Sequence, residues 1–143
     1  MFCNILLVED DDVAVESIQR SMLKADVSFP ITVAEDGLVA LEILRGLHPD
    51  KKIQEPLVVL LDLNMPRMNG FEFLQAIRSD EILKPTVVFI LTTSGSEVDR
   101  ARAYNENIAG YMVKDKVGPQ FSKLFQLLNN YASVVYLPKT HLK

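Results

Sequence analysis

Carboxylates follow two of the most apolar segments of the 143-residue chain. Glu9 and Asp10 come directly after residues 5–8, and Asp62 comes directly after residues 57–61. If both segments are parallel strands, their carboxyl ends meet at one edge of a sheet, where ligands bind in such folds. Carboxylates held that close repel one another unless a cation lies among them. Oxygen ligands without His or Cys suit a hard divalent ion, and Mg²⁺ fits best.

A simpler interpretation of the acidic run is a solvated loop that begins a helix. Asp11 and Asp12 follow Asp10 in the sequence, and we expect them to cap that helix or to lie in its first turn. For Glu9 and Asp10 considered alone, a place in such a solvated loop stays open as the alternative to metal binding.

A hydroxyl and an ammonium group are predicted at the same edge of the sheet. Leu91 is expected to end one strand and is followed by three residues that carry hydroxyls, Thr92, Thr93 and Ser94. Lys114 follows the apolar segment 109–113. A metal ion, a hydroxyl and an ammonium can surround a phosphoryl group, because the cations neutralise its oxygens and the hydroxyl donates a hydrogen bond. A lone Lys after a strand is usually a surface residue. Lys114 is a candidate site residue only because the other strand ends carry complementary groups.

Five short apolar segments alternate along the chain with five segments that have helical spacing. The segments predicted as strands are residues 5–8, 31–34, 57–61, 86–91 and 109–113. The first, third and fourth do not alternate polar with apolar residues, which is typical of strands covered on both faces. Right-handed crossovers then predict an α/β fold, a doubly wound five-stranded parallel sheet with helices on both faces.

The composition argues against several classes of protein. An apolar fraction of 48% and a charged fraction of 24% are typical of a globular domain. A net charge of −4 with no basic block disfavours nucleic-acid binding and a polybasic membrane anchor. Cys3 has no second cysteine to pair with, the N-terminus lacks the pattern of a signal peptide, and no apolar run approaches the roughly 20 residues that span a bilayer. We therefore predict a cytoplasmic location.

Four motifs together resemble the receiver domain of two-component response regulators. They are Val8-Glu9-Asp10, the segment 61–66 with Gly70, Leu91-Thr92-Thr93, and Lys114. The pattern Asp-x-Asn-Met-Pro-x-Met-x-Gly is highly specific, and the spacings between the motifs match as well. The resemblance implies a flavodoxin-like strand order, 2-1-3-4-5, with the first and last helices on one face of the sheet.

The resemblance also implies a phosphoacceptor and a metal site. Asp62 would take a phosphoryl group from a sensor histidine kinase and become an acyl phosphate. Asp10 and Asp62 would supply carboxylates to Mg²⁺, Glu9 would act through water, and Asn64 would offer its backbone carbonyl. A signalling phosphoacceptor of this kind is not classed as an enzyme, although water can later hydrolyse its acyl phosphate.

Three further residues would complete the site in such a domain. Lys114 would pair with a phosphoryl oxygen or with the acceptor carboxylate. Thr92 would be the switch hydroxyl that moves onto the phosphoryl group. Tyr111 is either the aromatic switch residue or an ordinary aromatic residue of a strand. Phosphorylation would then change the surface of strands four and five, which we expect to contact a downstream protein.

Three residues depart from the family pattern. Glu9 replaces the Asp of many members, a common variant that should keep metal binding. Asp115 stands where most members have Pro, often after a cis bond, so the loop after strand five and the reach of Lys114 are expected to differ. Asn107 stands where Gly is usual, and the turn should survive because Asn tolerates the left-handed conformation.

The end of the chain supplies a second clue. With the segment 91–94, residues 133–138 resemble the single-domain regulators that are paired with bacterial phytochromes. We therefore divide the chain into a receiver domain, residues 1–131, and a tail, residues 132–143. Two roles stay open for the apolar tail: a contact in a homodimer, or a cover for the domain's own surface.

Three other functions are each disfavoured by a particular feature. A Mg²⁺-dependent phosphohydrolase often has a proton-transferring Asp two residues after its nucleophile, where this chain has Asn64. A receiver-like binding module that is no longer phosphorylated usually lacks the acidic pair, the acceptor or the Lys, whereas this chain has all of them. A nucleotide-binding flavodoxin-like protein needs a Gly-rich loop after the first strand, where this chain has four acidic residues that would repel phosphate.

Overall fold

The computed structural model describes residues 3–25, 29–117 and 121–139. In these residues five parallel strands form one sheet in the order β2-β1-β3-β4-β5. The strands are β1 (Asn4–Val8), β2 (Ile31–Ala34), β3 (Leu57–Leu61), β4 (Val88–Thr92) and β5 (Gly110–Val113). The helices are α1 (Asp12–Lys24), α2 (Gly37–Leu44), α3 (Gly70–Arg78), α4 (Glu97–Tyr104) and α5 (Ser122–Val134). The predicted fold class and strand order are confirmed.

The core consists of two layers, one on each face of the sheet. All five residues of β3 and of β4 are buried, as expected of strands covered on both faces. One layer contains side chains of α2, α3 and α4, among them Phe73 and Ala103. The other contains side chains of α1 and α5, among them Ile18 and Phe125. Helices α1 and α5 therefore share a face of the sheet, as the family resemblance implied.

Four helices begin with a side-chain cap in the loop that follows a strand. The capping residues are Asp11 for α1, Asp36 for α2, Asn69 for α3 and Ser96 for α4. Each accepts a hydrogen bond from a backbone N–H of the first turn, which satisfies a donor that the helix leaves free. Asp11 thus has the capping role predicted for it, and Asp12 lies in the first turn of α1. All four loops lie at the carboxyl edge of the sheet, because each follows a strand and the strands are parallel.

The fourth strand lies slightly later in the chain than predicted. It begins at Val88, and it ends at Thr92 instead of Leu91. Thr86 belongs to the preceding turn because both its hydroxyl and its backbone N–H donate to the carbonyl of Leu83, at 2.6 and 2.9 Å. Thr92 is therefore the last residue of a buried strand, and its side chain is completely buried.

Helix α5 includes the first three residues of the segment predicted as a tail. Ala132 is buried against the core, and Leu137 packs on the same cluster as part of the extended chain that follows. Val134 and Tyr136 are exposed, by 79% and 93%. Residues 140–143 of the predicted tail lie outside the described residues. In the part of the chain that the structure describes, no helix is both long enough and apolar enough to cross a membrane.

Candidate functional site

Strand register brings the predicted site residues to one edge of the sheet. Val8 is the partner of Leu61, so Glu9 and Asp62 leave neighbouring strands side by side. The backbone N–H of Asp62 extends the ladder by donating to the carbonyl of Val8 at 3.0 Å. Pairing of β4 with β5 in turn places Thr92 opposite Val113, one residue before Lys114. Residues far apart in sequence therefore meet because parallel strands end together.

The first group at this edge is a cluster of three carboxylates. Glu9, Asp10 and Asp62 each offer an oxygen, and these oxygens all lie within 4.8 Å of one another. Glu9 and Asp62 are buried, at 3% and 8% exposure, whereas Asp10 is exposed. Since like charges at this separation repel, the cluster is complementary to a divalent cation. A donor set made only of oxygens fits a hard ion such as Mg²⁺ or Mn²⁺.

Lys114 provides the positive charge that faces this cluster. Its Nζ lies 2.5 Å from Oε1 of Glu9 and 3.9 Å from Oδ2 of Asp62. The ammonium therefore contacts Glu9 directly and reaches the Asp62 carboxylate only at the limit of an ion pair. The sequence predicted a pairing with the acceptor carboxylate or with a phosphoryl oxygen, and it missed the shorter contact with Glu9.

Burial controls the charge of Glu9. Removal from water raises the pKa of Glu9 to about 7, and the neighbouring Asp62 carboxylate acts in the same direction. The hydrogen bond from Lys114 acts in the opposite direction without cancelling the effect of burial. A divalent cation between Glu9, Asp10 and Asp62 would favour the ionised form, because it adds positive charge next to the carboxylate.

The Asp62 carboxylate is held by a hydrogen bond from the backbone of the next residue. Its Oδ1 accepts a hydrogen bond from the N–H of Leu63 at 2.8 Å, while Oδ2 is the oxygen that faces Lys114. The chain then returns toward Asp62, since the N–H of Gly70 donates to the carbonyl of Leu63 at 3.0 Å. A Cβ at Gly70 would lie 2.5 Å from the Asp62 carbonyl oxygen, closer than real Cβ atoms come. Gly70 therefore permits the tight return of the chain that fixes the backbone of Asp62.

A second set of polar groups lies in the loop after β4. The N–H of Ser94 donates to Oγ1 of Thr92 at 3.4 Å, and the hydroxyl of Ser94 donates to Oδ2 of Asp99 at 2.7 Å. Tyr111 donates from its hydroxyl to the carbonyl of Ser94 at 2.9 Å. Its ring is half-buried against the core, and this burial raises the pKa of Tyr111. The structure thus links Thr92 and Tyr111 through Ser94, whose role the sequence did not reveal.

The two departures after α4 have clear structural outcomes. Asn107 has a φ of 58°, so it adopts the left-handed conformation expected of the residue that replaces Gly. Among the described residues the only cis peptide bond is Glu55–Pro56, so the Lys114–Asp115 bond is trans. Residues 114–116 form a single 3₁₀ turn, and the Asp115 side chain points to solvent. Lys114 reaches the carboxylates from this turn.

One charged contact near the site was not foreseen. Arg67, in the loop that carries Asn64, donates from Nε to Oδ2 of the buried Asp36 at 2.6 Å. Thirty-one residues separate the two in sequence. Asn64 itself is exposed at the beginning of this loop. No local pattern in the sequence could have paired Arg67 with Asp36.

Comparison with known proteins identifies the family of this chain. The sequence model of the response regulator receiver domain matches residues 5–126. The probable methanogenesis regulatory protein FilR2 of Methanothrix harundinacea is 38% identical over 110 residues, which cover 77% of this chain and 70% of FilR2. Response regulator Rcp1 of Synechocystis is 29% identical over 127 residues, which cover 89% of this chain and 86% of Rcp1.

Two solved structures extend the comparison to the fold and the metal. The crystal structure of the phosphorylated cyanobacterial phytochrome response regulator RcpA has a TM-score of 0.81 and 28% identity, covering 97% of this chain and all of RcpA. The crystal structure of the Mn²⁺-bound form of Rcp1 has a TM-score of 0.80 and 28% identity, covering 96% of this chain and 99% of that one. Because the receiver model spans most of the sequence, this protein belongs to the receiver domain family of two-component response regulators.

Proposed function

We propose that Asp62 is the phosphoacceptor and that its phosphoryl group comes from a sensor histidine kinase. The observation that carries this proposal is the position of the buried Asp62 carboxylate, beside two further carboxylates and within 3.9 Å of the Lys114 ammonium. A nucleophilic carboxylate, a divalent-cation site and a fixed ammonium are the parts that phosphoryl transfer requires. Residues 1–131 would form the receiver unit.

In the proposed reaction an Asp62 carboxylate oxygen attacks the phosphorus of a phosphohistidine in the kinase. The new P–O bond forms as the P–N bond breaks, and the histidine nitrogen keeps the electron pair. Lys114 stabilises the negative charge on the phosphoryl oxygens. Mg²⁺ bound by Asp10, Asp62 and the carbonyl of Asn64, with Glu9 acting through water, would neutralise further charge there. Later attack by water on the acyl phosphate gives weak autodephosphorylation.

Phosphorylation would be signalled through the loop after β4. The hydroxyl of Thr92 would donate to the new phosphoryl group, and the contacts of Ser94 with Thr92 and with Tyr111 would readjust. Two arrangements of the β4 and β5 surface would then exchange, with the phosphoryl group shifting their populations. The output is a changed protein contact on this surface.

Intact mass measurement tests the acceptor directly. Wild-type protein incubated with Mg²⁺ and acetyl phosphate should gain about 80 Da, the mass of one phosphoryl group. The gain should disappear in Asp62→Asn and when Mg²⁺ is chelated, and it should persist in Asp50→Asn, where an exposed carboxylate away from the site is removed. An unchanged wild-type mass under these conditions, or a gain that survives Asp62→Asn, would contradict the proposal.

The partner kinase is proposed to be of the phytochrome type. The similarity to RcpA and Rcp1 supports this choice. A phosphorylated phytochrome-type kinase should transfer its phosphoryl group to Asp62 within minutes, much faster than acetyl phosphate does. Phosphoryl transfer at an equal rate from an unrelated sensor kinase would contradict the proposed preference for a phytochrome-type kinase. The net charge of −4 without a basic block supports a protein with no nucleic-acid or polybasic membrane partner. The single cysteine supports a cytoplasmic location.

The segment 132–143 is proposed to contribute to a homodimer. The exposure of Val134 and Tyr136 supports this, because exposed large apolar side chains that form a patch often mark an interface. Light scattering should show a mass that rises toward that of a dimer with concentration in wild type and stays monomeric in Tyr136→Ser. A monomeric wild type at all concentrations would leave the tail as a cover for the domain's own surface.

A further inference from the structure

Arg67 has an unusual backbone conformation in the loop between Asp62 and α3. Its φ is 61°, in the left-handed region that residues other than Gly, Asn and Asp adopt at a cost. Such a conformation persists only where surrounding contacts hold it. The side chain of Arg67 supplies one of these contacts, because it reaches back to the segment that follows β2.

The partner of Arg67 is a buried carboxylate with two separate tasks. Asp36 is 2% exposed. Its Oδ1 accepts the N–H of Val39 at 3.0 Å and so caps α2, while Oδ2 accepts Nε of Arg67 at 2.6 Å. Glu35 is a weaker neighbour, with 3.9 Å between its carboxylate and the guanidinium. A buried carboxylate without a cationic partner is unfavourable, so the Asp36–Arg67 ion pair favours one position of the loop.

The backbone holds the same part of the loop against α2. The N–H of Gly37 donates to the carbonyl of Met68, the residue after Arg67, at 3.0 Å. A Cβ at Gly37 would lie 2.8 Å from Cγ of Met68 and 2.9 Å from its carbonyl oxygen. The first turn of α2 and the middle of the loop are therefore in direct contact, with no room for a side chain between them.

This loop also borders the carboxylate cluster. It begins directly after Asp62 and Leu63 with Asn64, whose carbonyl is a proposed metal ligand. Asp10, Asp36 and Arg67 line one cleft of about 360 Å³ together with Glu35 and Pro66. A shift of the loop would therefore change both the direction of the Asn64 carbonyl and the surroundings of Asp10.

We infer that the Arg67–Asp36 ion pair is a positioning contact, which fixes the loop after Asp62 and thereby increases the affinity of the site for Mg²⁺. This inference rests on the proposed function, because it assumes that the cluster binds a divalent cation. Neither residue touches the cation in this account. They act through the loop, as groups that orient metal ligands commonly do.

If Arg67 and Asp36 acted on Mg²⁺ only through their charges, their variants would change the Mg²⁺ affinity in a different way from a positioning contact. Removing the positive charge of Arg67 would by itself strengthen Mg²⁺ binding, and removing the negative charge of Asp36 would weaken it. A positioning role instead predicts weaker binding for both variants. Arg67→Asn is a suitable change because Asn tolerates the left-handed conformation. Asp36→Asn is suitable because the Asn side-chain oxygen can still cap α2.

The experiment is a calorimetric titration of full-length protein with Mg²⁺. We expect Arg67→Asn and Asp36→Asn each to raise the Mg²⁺ dissociation constant about tenfold, and the double variant to raise it no further. Arg67→Lys, which keeps the charge, should recover most of the affinity. The matched control is Arg45→Gln, which removes an exposed Arg paired with Asp80 at 3.4 Å on another part of the surface. It should bind Mg²⁺ like the wild type.

A kinetic measurement separates positioning from general damage to the fold. At saturating Mg²⁺ the rate of phosphorylation by acetyl phosphate should return to within about twofold of wild type, since bound metal restores the loop. Tighter or unchanged Mg²⁺ binding in Arg67→Asn, or a loss of equal size in Arg45→Gln, would overturn the inference and leave the proposed function intact. A wild type that binds no divalent cation would overturn both.

Discussion

The loops that follow β3 and β4 begin at the same edge of the sheet but are held in different ways. The loop after β3 is held by the Arg67–Asp36 ion pair and by close backbone packing, because a Cβ at Gly37 or Gly70 would come within 3 Å of a backbone atom of this segment. The loop after β4 is held by side-chain hydrogen bonds of Ser94 and Tyr111, and Gly95 has open space around it. A close-packed loop suits the proposed phosphoacceptor Asp62, whose geometry must stay fixed for phosphoryl transfer. A loop held by replaceable hydrogen bonds suits its proposed role in responding to phosphorylation.

The largest expected difference between the loops concerns their glycines. Gly70→Ala should lower the free energy of unfolding by about 3 kcal/mol, because the new methyl group meets the backbone of Asp62 and Leu63 at 2.5 and 2.8 Å. Gly95→Ala should change it by less than about 0.5 kcal/mol, since nothing lies within 4 Å. Urea denaturation of the two variants makes the comparison. Equal losses would show that the loop after β3 is no more tightly packed than the other.

The next largest expected effect is a pH dependence of the folding stability, which arises from Glu9 beside Asp62. In the metal-free protein the pKa of Glu9 rises from an ordinary value of 4.5 to about 7. The folded state then binds the proton more tightly than the unfolded state, so this contribution to stability is complete below about pH 4.5 and is lost as the pH rises to about 7. The loss should be on the order of 3 kcal/mol.

Urea denaturation in the presence of a chelator, repeated from pH 4.5 to pH 8, measures this contribution. Glu9→Gln should remove it, so the stability difference between wild type and variant should change across that range. Glu97→Gln, at an exposed side chain of α4, is the control and should leave the pH profile of the wild type unchanged. A Glu9→Gln profile parallel to that of the wild type would mean that the ammonium of Lys114 keeps Glu9 ionised.

The smallest effect concerns the loop after β4. Tyr111→Phe removes the hydrogen bond to the Ser94 carbonyl and should lower the free energy of unfolding by about 1 kcal/mol. Phosphorylation of Asp62 by acetyl phosphate should stay within about twofold of wild type, because Tyr111 does not touch the acceptor in this account. Tyr104→Phe, at a half-exposed ring of α4, serves as the control. A large loss of phosphorylation in Tyr111→Phe alone would show that the two loops are not separate in function.

Much of the fold follows from local patterns in the sequence. The unbroken apolar runs of β1, β3 and β4 predicted strands buried on both faces, and the structure confirms this for all three. The end of β4 was predicted one residue too early. The turn that contains Thr86 is defined by a hydrogen bond to Leu83, which a β-branched residue in an apolar run does not reveal.

The site was predicted only in part. Residue types show which chemical groups are available, but they do not show how the side chains are arranged. Carboxylates after β1 and β3 and a Lys after β5 had to meet once the strand order was known, and they do. The direct contact of Lys114 with Glu9, the hydrogen bonds of Ser94 and the Arg67–Asp36 pair each depend on side-chain positions across loops. Such contacts have no repeating pattern in a single sequence.

Amide hydrogen exchange before and after phosphorylation tests the distinction between the loops most directly. The protein would be treated with Mg²⁺ alone, and with Mg²⁺ and acetyl phosphate, with Asp62→Asn as the control that cannot be phosphorylated. We predict that exchange in residues 92–96 changes severalfold on phosphorylation of Asp62, whereas residues 63–70 stay equally protected. No change in residues 92–96 of phosphorylated wild type, or a larger change in residues 63–70, would contradict a fixed acceptor loop and a responsive loop after β4.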